Sequence, residues 1–266
     1  SGDDGSGGRT LLAHAGLKPR DLVTHSSFVG RERETAILRD AIHDVVAGRG
    51  RLLMLAGEPG IGKTRLAEET ASYAAANGVR VLWGRCWEAG GAPAFWPWIE
   101  LIRESLDARA WSDQMLTGLK PGLARIAQMV PELRSTLPLP EPVHEATSGL
   151  PVGDGSRGAR PERFLLFDAI TRLFKGLAGS TPLMLVLDDL HAADEDSLVL
   201  LRFLARELKQ TRILVVATYR EVEVRQSAQH AALLSEIARE GITIPLRGLS
   251  LGEVADFVQR IAELPV

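Results

Sequence analysis

One stretch limits what this chain can fold into more than any other: Gly57-Glu58-Pro59-Gly60-Ile61-Gly62-Lys63-Thr64. An apolar run, Leu52-Leu53-Met54-Leu55-Ala56, precedes it, and a helix-patterned run, Arg65-Leu66-Ala67-Glu68-Glu69-Thr70-Ala71, follows it. Strand, glycine loop and helix in that order are the context in which G-x-x-x-x-G-K-[ST] cradles phosphate. Gly57, Gly60 and Gly62 let the backbone turn, aim a row of N–H groups inward, and leave no side chain to hold a phosphate away. The helix beginning near Lys63 adds its positive end to the same spot. Lys63 has the reach for β- and γ-phosphates, and the Thr64 hydroxyl suits a place on Mg²⁺. The segment from Gly57 to Arg65 is therefore expected to bind a nucleoside triphosphate.

Composition narrows the surroundings of that loop. The 266 residues suffice for one large domain, or one domain and part of a second. A hydrophobic share of 45% with 24% charged residues suits a globular chain rather than a disordered one. A formal charge of −3 argues against a dedicated nucleic-acid surface. The single cysteine, Cys86, cannot close an internal disulfide and fits a reducing, cytoplasmic setting. Its expected role is a small buried apolar residue. No apolar run approaches the roughly 18 residues of a membrane span, and no signal peptide is evident. Residues 1–26 read as a leader or linker, with Ser1 to Gly8 flexible.

In chain order, Phe28-Val29-Gly30-Arg31-Glu32 runs into a helix through Ile37, Leu38, Ala41, Ile42 and Val45, closed by Gly48 and Gly50. Strands are expected at Arg51 to Ala56, Val79 to Gly84, Leu183 to Leu187, Arg212 to Ala217 and Ile242 to Leu246. Between 89 and 161 the pattern becomes an insert. It has helices at Trp98 to Ala108 and Leu116 to Met129, with a break at or near Lys120-Pro121-Gly122, and a mobile Gly/Ser-rich stretch from Ser148 to Gly158. Further helices are expected at Glu162 to Leu177, Ser197 to Lys209 with Asp194 or Asp196 as cap, Ala231 to Arg239, and Gly252 to Ala262. Near-continuous apolar strands alternating with helices imply an α/β, three-layer fold with a five-stranded parallel sheet. The strand ending in Asp188-Asp189 is not consecutive with the glycine-loop strand, since Val79 to Gly84 intervenes. That points to the additional-strand type of P-loop NTPase, and the absence of an N-K-x-D signature argues against guanine specificity.

With these motifs in place, residues 27–262 resemble the AAA+-related signal-transduction ATPases with numerous domains, the STAND class. The nearest likeness is to ATPase modules of large bacterial transcriptional and signalling regulators. Its carriers are Phe28 to Glu32, Gly57 to Thr64, Gly84-Arg85-Cys86, Phe95-Trp96-Pro97-Trp98, Leu187-Asp188-Asp189-Leu190-His191, Ala217-Thr218-Tyr219-Arg220 and Leu246-Arg247-Gly248-Leu249-Ser250. One departure is Ala192, where such modules often carry Trp. The resemblance implies ATP or ADP with Mg²⁺ as ligands, and Val29, Gly30 and Arg31 against the adenine. It also implies Asp188 on Mg²⁺ beside Thr64, Asp189 orienting the attacking water, and Arg220 sensing the γ-phosphate. Arg85 and Glu88 lie at a strand end on the same edge. Residues 27–247 would form the nucleotide-binding domain and 248–266 the start of a helical lid, whose remainder and any sensor or effector domains lie outside this chain.

The resulting expectation is a slowly hydrolysing ATP switch whose partners are nucleotide and other domains of the same protein, with homo-oligomerisation in the ATP state left open. Neither membrane nor direct nucleic-acid binding is expected. A cycling AAA+ motor, a non-hydrolysing scaffold and, more weakly, a P-loop kinase remain as rival readings. Phe95, Trp96 and Trp98 read as core packing rather than a stacking platform, and His191 as a loop hydrogen-bonding residue.

Overall fold

The structure, a computed structural model, describes residues 30–87, 91–106, 111, 113–137 and 159–262. It divides into two compact units, Glu32–Gly248 and a smaller one of Ser1–Arg31 with Leu249–Val266. Val29, Glu88 and the Ser148 to Gly158 stretch lie outside the described residues.

The larger unit is built on five parallel strands: β1 (Arg51–Ala56), β2 (Arg80–Arg85), β3 (Leu183–Asp188), β4 (Ile213–Tyr219) and β5 (Ile242–Pro245). Along β3 every side chain is buried, as is every one in β1 after Arg51 and in β4 before Tyr219. Successive strand residues face opposite sides, so uninterrupted burial requires cover on both faces. That is the α/β sandwich expected from the apolar runs. The spatial order is β2-β3-β4-β1-β5. The element separating the glycine-loop strand from the Asp188 strand is therefore β4, from later in the chain. The segment that intervenes in sequence, β2, goes instead to the sheet edge. Sequence order sets only which crossovers exist, whereas their handedness and packing set which strands become neighbours.

As an edge strand, β2 exposes backbone donors. Helix α3 (Trp96–Glu104) covers them with carboxylates: Glu100 accepts from the Arg85 N–H at 2.6 Å, and Glu104 from that of Trp83. Gly84 permits this approach, because a Cβ there would stand 2.2 Å from the Pro97 carbonyl oxygen. Helix α1 (Glu32–Val46) packs on α2 (Lys63–Ala76), with Leu38, Ala41, Ile42 and Val45 buried at helical spacing. Asn77 and Gly78, the latter at φ +74°, end α2.

The insert does not form a separate body. Helices α4 (Asp113–Met129), α5 (Glu132–Thr136) and α6 (Ala159–Ser180) contribute Leu123, Ile126, Leu133, Phe167 and Phe174 to one core with strands β3 and β4. Contrary to the expected break, α4 runs through Lys120-Pro121-Gly122 without interruption. Pro121 removes one backbone donor and crowds the carbonyl four residues earlier, a local cost that tertiary packing can offset. Gly122 acts as a notch rather than a breaker: a Cβ there would lie 2.9 Å from the Ala169 Cβ of α6. Phe95 and Trp98 are buried in the same core, edge-on to Phe167 and tilted against Phe174, and the Trp98 indole N–H donates to the Ser197 carbonyl. Helix α7 (Glu195–Arg206) begins at Asp194, whose carboxylate accepts the Ser197 N–H at 2.9 Å and the Phe95 N–H at 3.1 Å. The one-turn helix α8 (Glu221–Val224) and α9 (Ala228–Ala238) follow β4.

In the smaller unit, α10 (Leu251–Ala262) opens with a capping box. Glu253 accepts the Ser250 N–H at 2.6 Å, and Ser250 Oγ accepts the Glu253 N–H at 3.3 Å. The Arg31 N–H also donates to Glu253, at 3.3 Å. These donors, the Ser250 N–H first, hold the Glu253 carboxyl below its usual range. No helix among the described residues is long and apolar enough to cross a membrane.

Cys86 is buried against the core, and burial pushes its thiol far above the ordinary range. A thiol reagent at pH 8 should accordingly label the folded protein at least about tenfold more slowly than the denatured chain. Equal rates would mean that Cys86 is accessible in the native state.

Candidate functional site

Parallel strands place their C-terminal ends, and the loops that follow, along one edge of the sheet. Register brings particular residues to the same level there: Arg85 opposite Asp188, Leu187 opposite Ala217, and Ala56 opposite Tyr219. The glycine loop leaves β1 at that edge and enters α2 at Lys63. Gly60 and Gly62 adopt φ of +74° and +97°, conformations that side-chain-bearing residues rarely take. Nothing lies within 4 Å of where a Cβ would stand at either, so the loop forms an open backbone cradle. Gly57 has a different reason: a Cβ there would meet the Leu246 carbonyl oxygen at 3.0 Å, where the backbone after β5 passes. Ile61 closes the turn by donating its N–H to Glu58, and Glu58 and Pro59 are exposed.

Lys63 is only 5% exposed and curls back over the loop, donating to the carbonyls of Gly57 at 2.9 Å and Glu58 at 2.8 Å. Burial lowers its ammonium below the ordinary lysine range, and the nearby Arg220 charge adds to this, while Asp189, Asp188 and Glu223 oppose it. Arg65 points along α2 toward Glu68 and Glu69.

Asp188, the last residue of β3, is completely buried and is the point where four elements meet. Thr64 Oγ1 of α2 donates to it at 3.1 Å, and Thr218 Oγ1 of β4 at 2.7 Å. The Arg85 guanidinium of β2 pairs with it at 3.1 Å. A buried carboxylate must be paired or hydrogen-bonded, and these groups meet that requirement. Thr64 and Asp188 together form an oxygen-only pair beside the cradle, which fits a hard divalent cation that keeps waters and substrate phosphates as its remaining ligands. No larger His, Cys, Asp or Glu cluster suited to a metal occurs among the described residues.

Asp189 follows at φ +62°, a left-handed conformation uncommon for any residue other than glycine. Its backbone N–H donates to Thr218 Oγ1 at 2.9 Å, so one hydroxyl fixes both acidic residues. Its side chain lies 3.9 Å from His191 Nδ1, and His191 Nε2 lies 2.9 Å from Glu223. Arg220, the residue before α8, pairs with the same Glu223 at 2.9 Å.

Of the residues singled out in sequence, Gly57 to Thr64, Asp188, Asp189, Arg220 and Arg85 lie along the sheet edge of the larger unit. Gly30 and Arg31 belong to the smaller unit. Two participants were given no role by the sequence reading. Thr218 lies within the quoted Ala217-Thr218-Tyr219-Arg220 segment near the end of an otherwise apolar strand, but its hydroxyl was not assigned to the site. Glu223 lies in a charged one-turn helix that nothing in its pattern separates from ordinary surface.

Thr218→Val removes the hydroxyl at nearly constant volume and strands acceptor capacity on a buried carboxylate. It should lower stability by about 1–3 kcal/mol in urea denaturation, with Thr218→Ser close to wild type. A Val variant within about 0.5 kcal/mol of wild type would mean that the hydroxyl is not a hub.

Comparison with known proteins gives this geometry a family. The AAA ATPase domain family matches residues 27–216. No curated protein sequence matches the chain. Among solved structures, a signal transduction ATPase with numerous domains (STAND) protein with a tetratricopeptide repeat sensor, from Pyrococcus horikoshii, is similar at 18% identity and a TM-score of 0.44. The Aeropyrum pernix ORC1 protein in complex with DNA is similar at 16% identity and a TM-score of 0.42. Each similarity covers 90% of this chain, but the chain spans only 26% of the former protein and 50% of the latter. The match over residues 27–216 takes in the glycine loop, Asp188 and Asp189, and the chain belongs to the AAA ATPase domain family.

Proposed function

We propose that this chain is the nucleotide-binding core of a multidomain signalling or transcription regulator, in which ATP and ADP favour different conformations and hydrolysis is slow. One observation carries the reading: Thr64 at the start of α2 and Asp188 at the end of β3 meet at 3.1 Å beside a glycine cradle capped by a buried lysine. In this reading the loop amides and the α2 N-terminus bind the phosphates, and Lys63 exchanges its bonds to Gly57 and Glu58 for phosphate oxygens. Thr64 and Asp188 hold Mg²⁺, which supplies charge neutralisation on the phosphates when bound. Asp189 orients water for in-line attack on the γ-phosphate, and Arg220 stabilises the charge that develops there. An Asp in the water-orienting position has one methylene less reach than a Glu, which favours slow turnover.

The adenine assignment to Val29, Gly30 and Arg31 rests on the sequence resemblance alone. So do the STAND-class switch role, the sensor and effector domains as partners, and homo-oligomerisation in the ATP state. A switch requires that each nucleotide bind the two states with different affinity.

Calorimetric titration with ADP, ATP and GTP, each with Mg²⁺, tests the reading. Adenine nucleotides should bind and GTP should not; equal affinity for GTP would remove the adenine preference. Lys63→Ala should weaken ATP by at least about tenfold, equivalent to about 1.4 kcal/mol. Unchanged affinity would sink the phosphate assignment. Asp188→Asn should flatten the dependence of ADP affinity on Mg²⁺ concentration, whereas a titration superimposable on wild type would exclude Asp188 as a metal ligand.

A further inference from the structure

Beyond the phosphate-binding residues, four charged or titratable side chains form a continuous chain around the end of β4. Arg220 Nη1 donates to Glu223 Oε1 at 2.9 Å. The other oxygen of the same carboxylate, Oε2, lies 2.9 Å from His191 Nε2. The His191 side chain is only 3% exposed, and its second nitrogen lies 3.9 Å from Asp189 Oδ1. Glu223 is thus shared between an arginine beside the phosphate site and a buried imidazole beside Asp189, the residue that follows β3. Arg220 and Glu223 keep side-chain exposures of 25% and 35%, so the pair is not locked in the core. We propose that Glu223 is a positioning residue that competes with the γ-phosphate for Arg220 and thereby sets the preference between triphosphate and diphosphate. The proposal rests on the reading in which Arg220 meets the γ-phosphate.

The physical case is one of exchange. A guanidinium satisfied by a carboxylate gains from a phosphate only the difference between the two partners. A diphosphate does not offer the third phosphoryl group, so Arg220 stays on Glu223 and ADP incurs no cost of separation. A triphosphate must separate the pair, and that cost falls on ATP alone. The Arg220 contact is the first cause holding the Glu223 carboxyl below its usual range, with His191 and Lys63 adding to it. When Arg220 leaves, Glu223 still faces His191 Nε2 and so remains tied to the imidazole whose other nitrogen lies 3.9 Å from Asp189.

Four proteins test this: wild type, Glu223→Gln, Arg220→Gln and the double variant. Each is titrated in Mg²⁺ with ADP and with a non-hydrolysable ATP analogue. Glutamine keeps an acceptor for His191 while removing the charge that holds Arg220. Glu223→Gln should raise the analogue-to-ADP affinity ratio by about two- to fivefold, the range of a half-exposed ion pair. Arg220→Gln should weaken the analogue and leave ADP unchanged. In the Arg220→Gln background, adding Glu223→Gln should then have no further effect on the ratio. An equal change for both nucleotides in Glu223→Gln, or a fall in the ratio, overturns the proposal and makes Glu223 a structural residue. A rise that persists without Arg220 also overturns it, because the carboxylate would then act through its field alone. If Arg220→Gln leaves the analogue's affinity untouched, the γ-phosphate role of Arg220 fails, and the exchange fails with it.

Discussion

The carboxylate of Asp188 is the constraint around which this site is arranged. It is completely buried at the end of the interior strand β3, where an unpaired charge would carry a cost of several kcal/mol. Thr64, Thr218 and Arg85 satisfy it from three different elements. Each of those contacts requires a neighbour in a fixed place: α2 entering beside the glycine loop, β4 adjacent to β3, and β2 on its other side. Satisfying one buried charge therefore couples the geometry of the loop to the order of the sheet. The same arrangement leaves an oxygen pair, Thr64 with Asp188, where a divalent cation and phosphates can meet.

A second dependency runs from the insert to the site. Helices α3, α4 and α6 share the core beneath strands β3 and β4, and α3 caps the exposed donors of β2 through Glu100 and Glu104. Because Glu100 binds the Arg85 N–H, α3 also fixes the strand end from which the Arg85 guanidinium reaches Asp188. Asp194 ties the start of α3 to the start of α7 by accepting from both Phe95 and Ser197. The helices between β2 and β3 thus support the sheet edge where the acidic residues emerge.

Much of this was legible in the sequence, for local reasons. The apolar runs marked buried strands, and Gly60 and Gly62 stand at positive φ, where glycine is favoured. Asp194 was one of two acidic residues expected to cap its helix, and it is the one that does. The break expected at or near Lys120-Pro121-Gly122 does not fall on those three residues, where Gly122 packs on Ala169 and the surrounding core holds the helix together. Local propensity is a weak guide where tertiary packing decides. Thr218 and Glu223 were not assigned roles for a related reason: Thr218 acts on Asp188 and Asp189 about thirty positions away, and Glu223 joins Arg220 to His191, a residue from another strand end.

By itself the sequence determined the elements and the glycine loop, since backbone φ preferences, apolar periodicity and caps act within a few residues of where they are written. Only the tertiary structure decided that β4 separates β1 from β3, and so that Thr218 fastens both Asp188 and Asp189. It likewise decided that Arg85 pairs with Asp188, and that Glu223 is shared by Arg220 and His191. Those contacts follow from which strands pack side by side. That choice depends on crossover handedness and on burying both faces of one sheet, a condition on the whole chain rather than on any stretch of it.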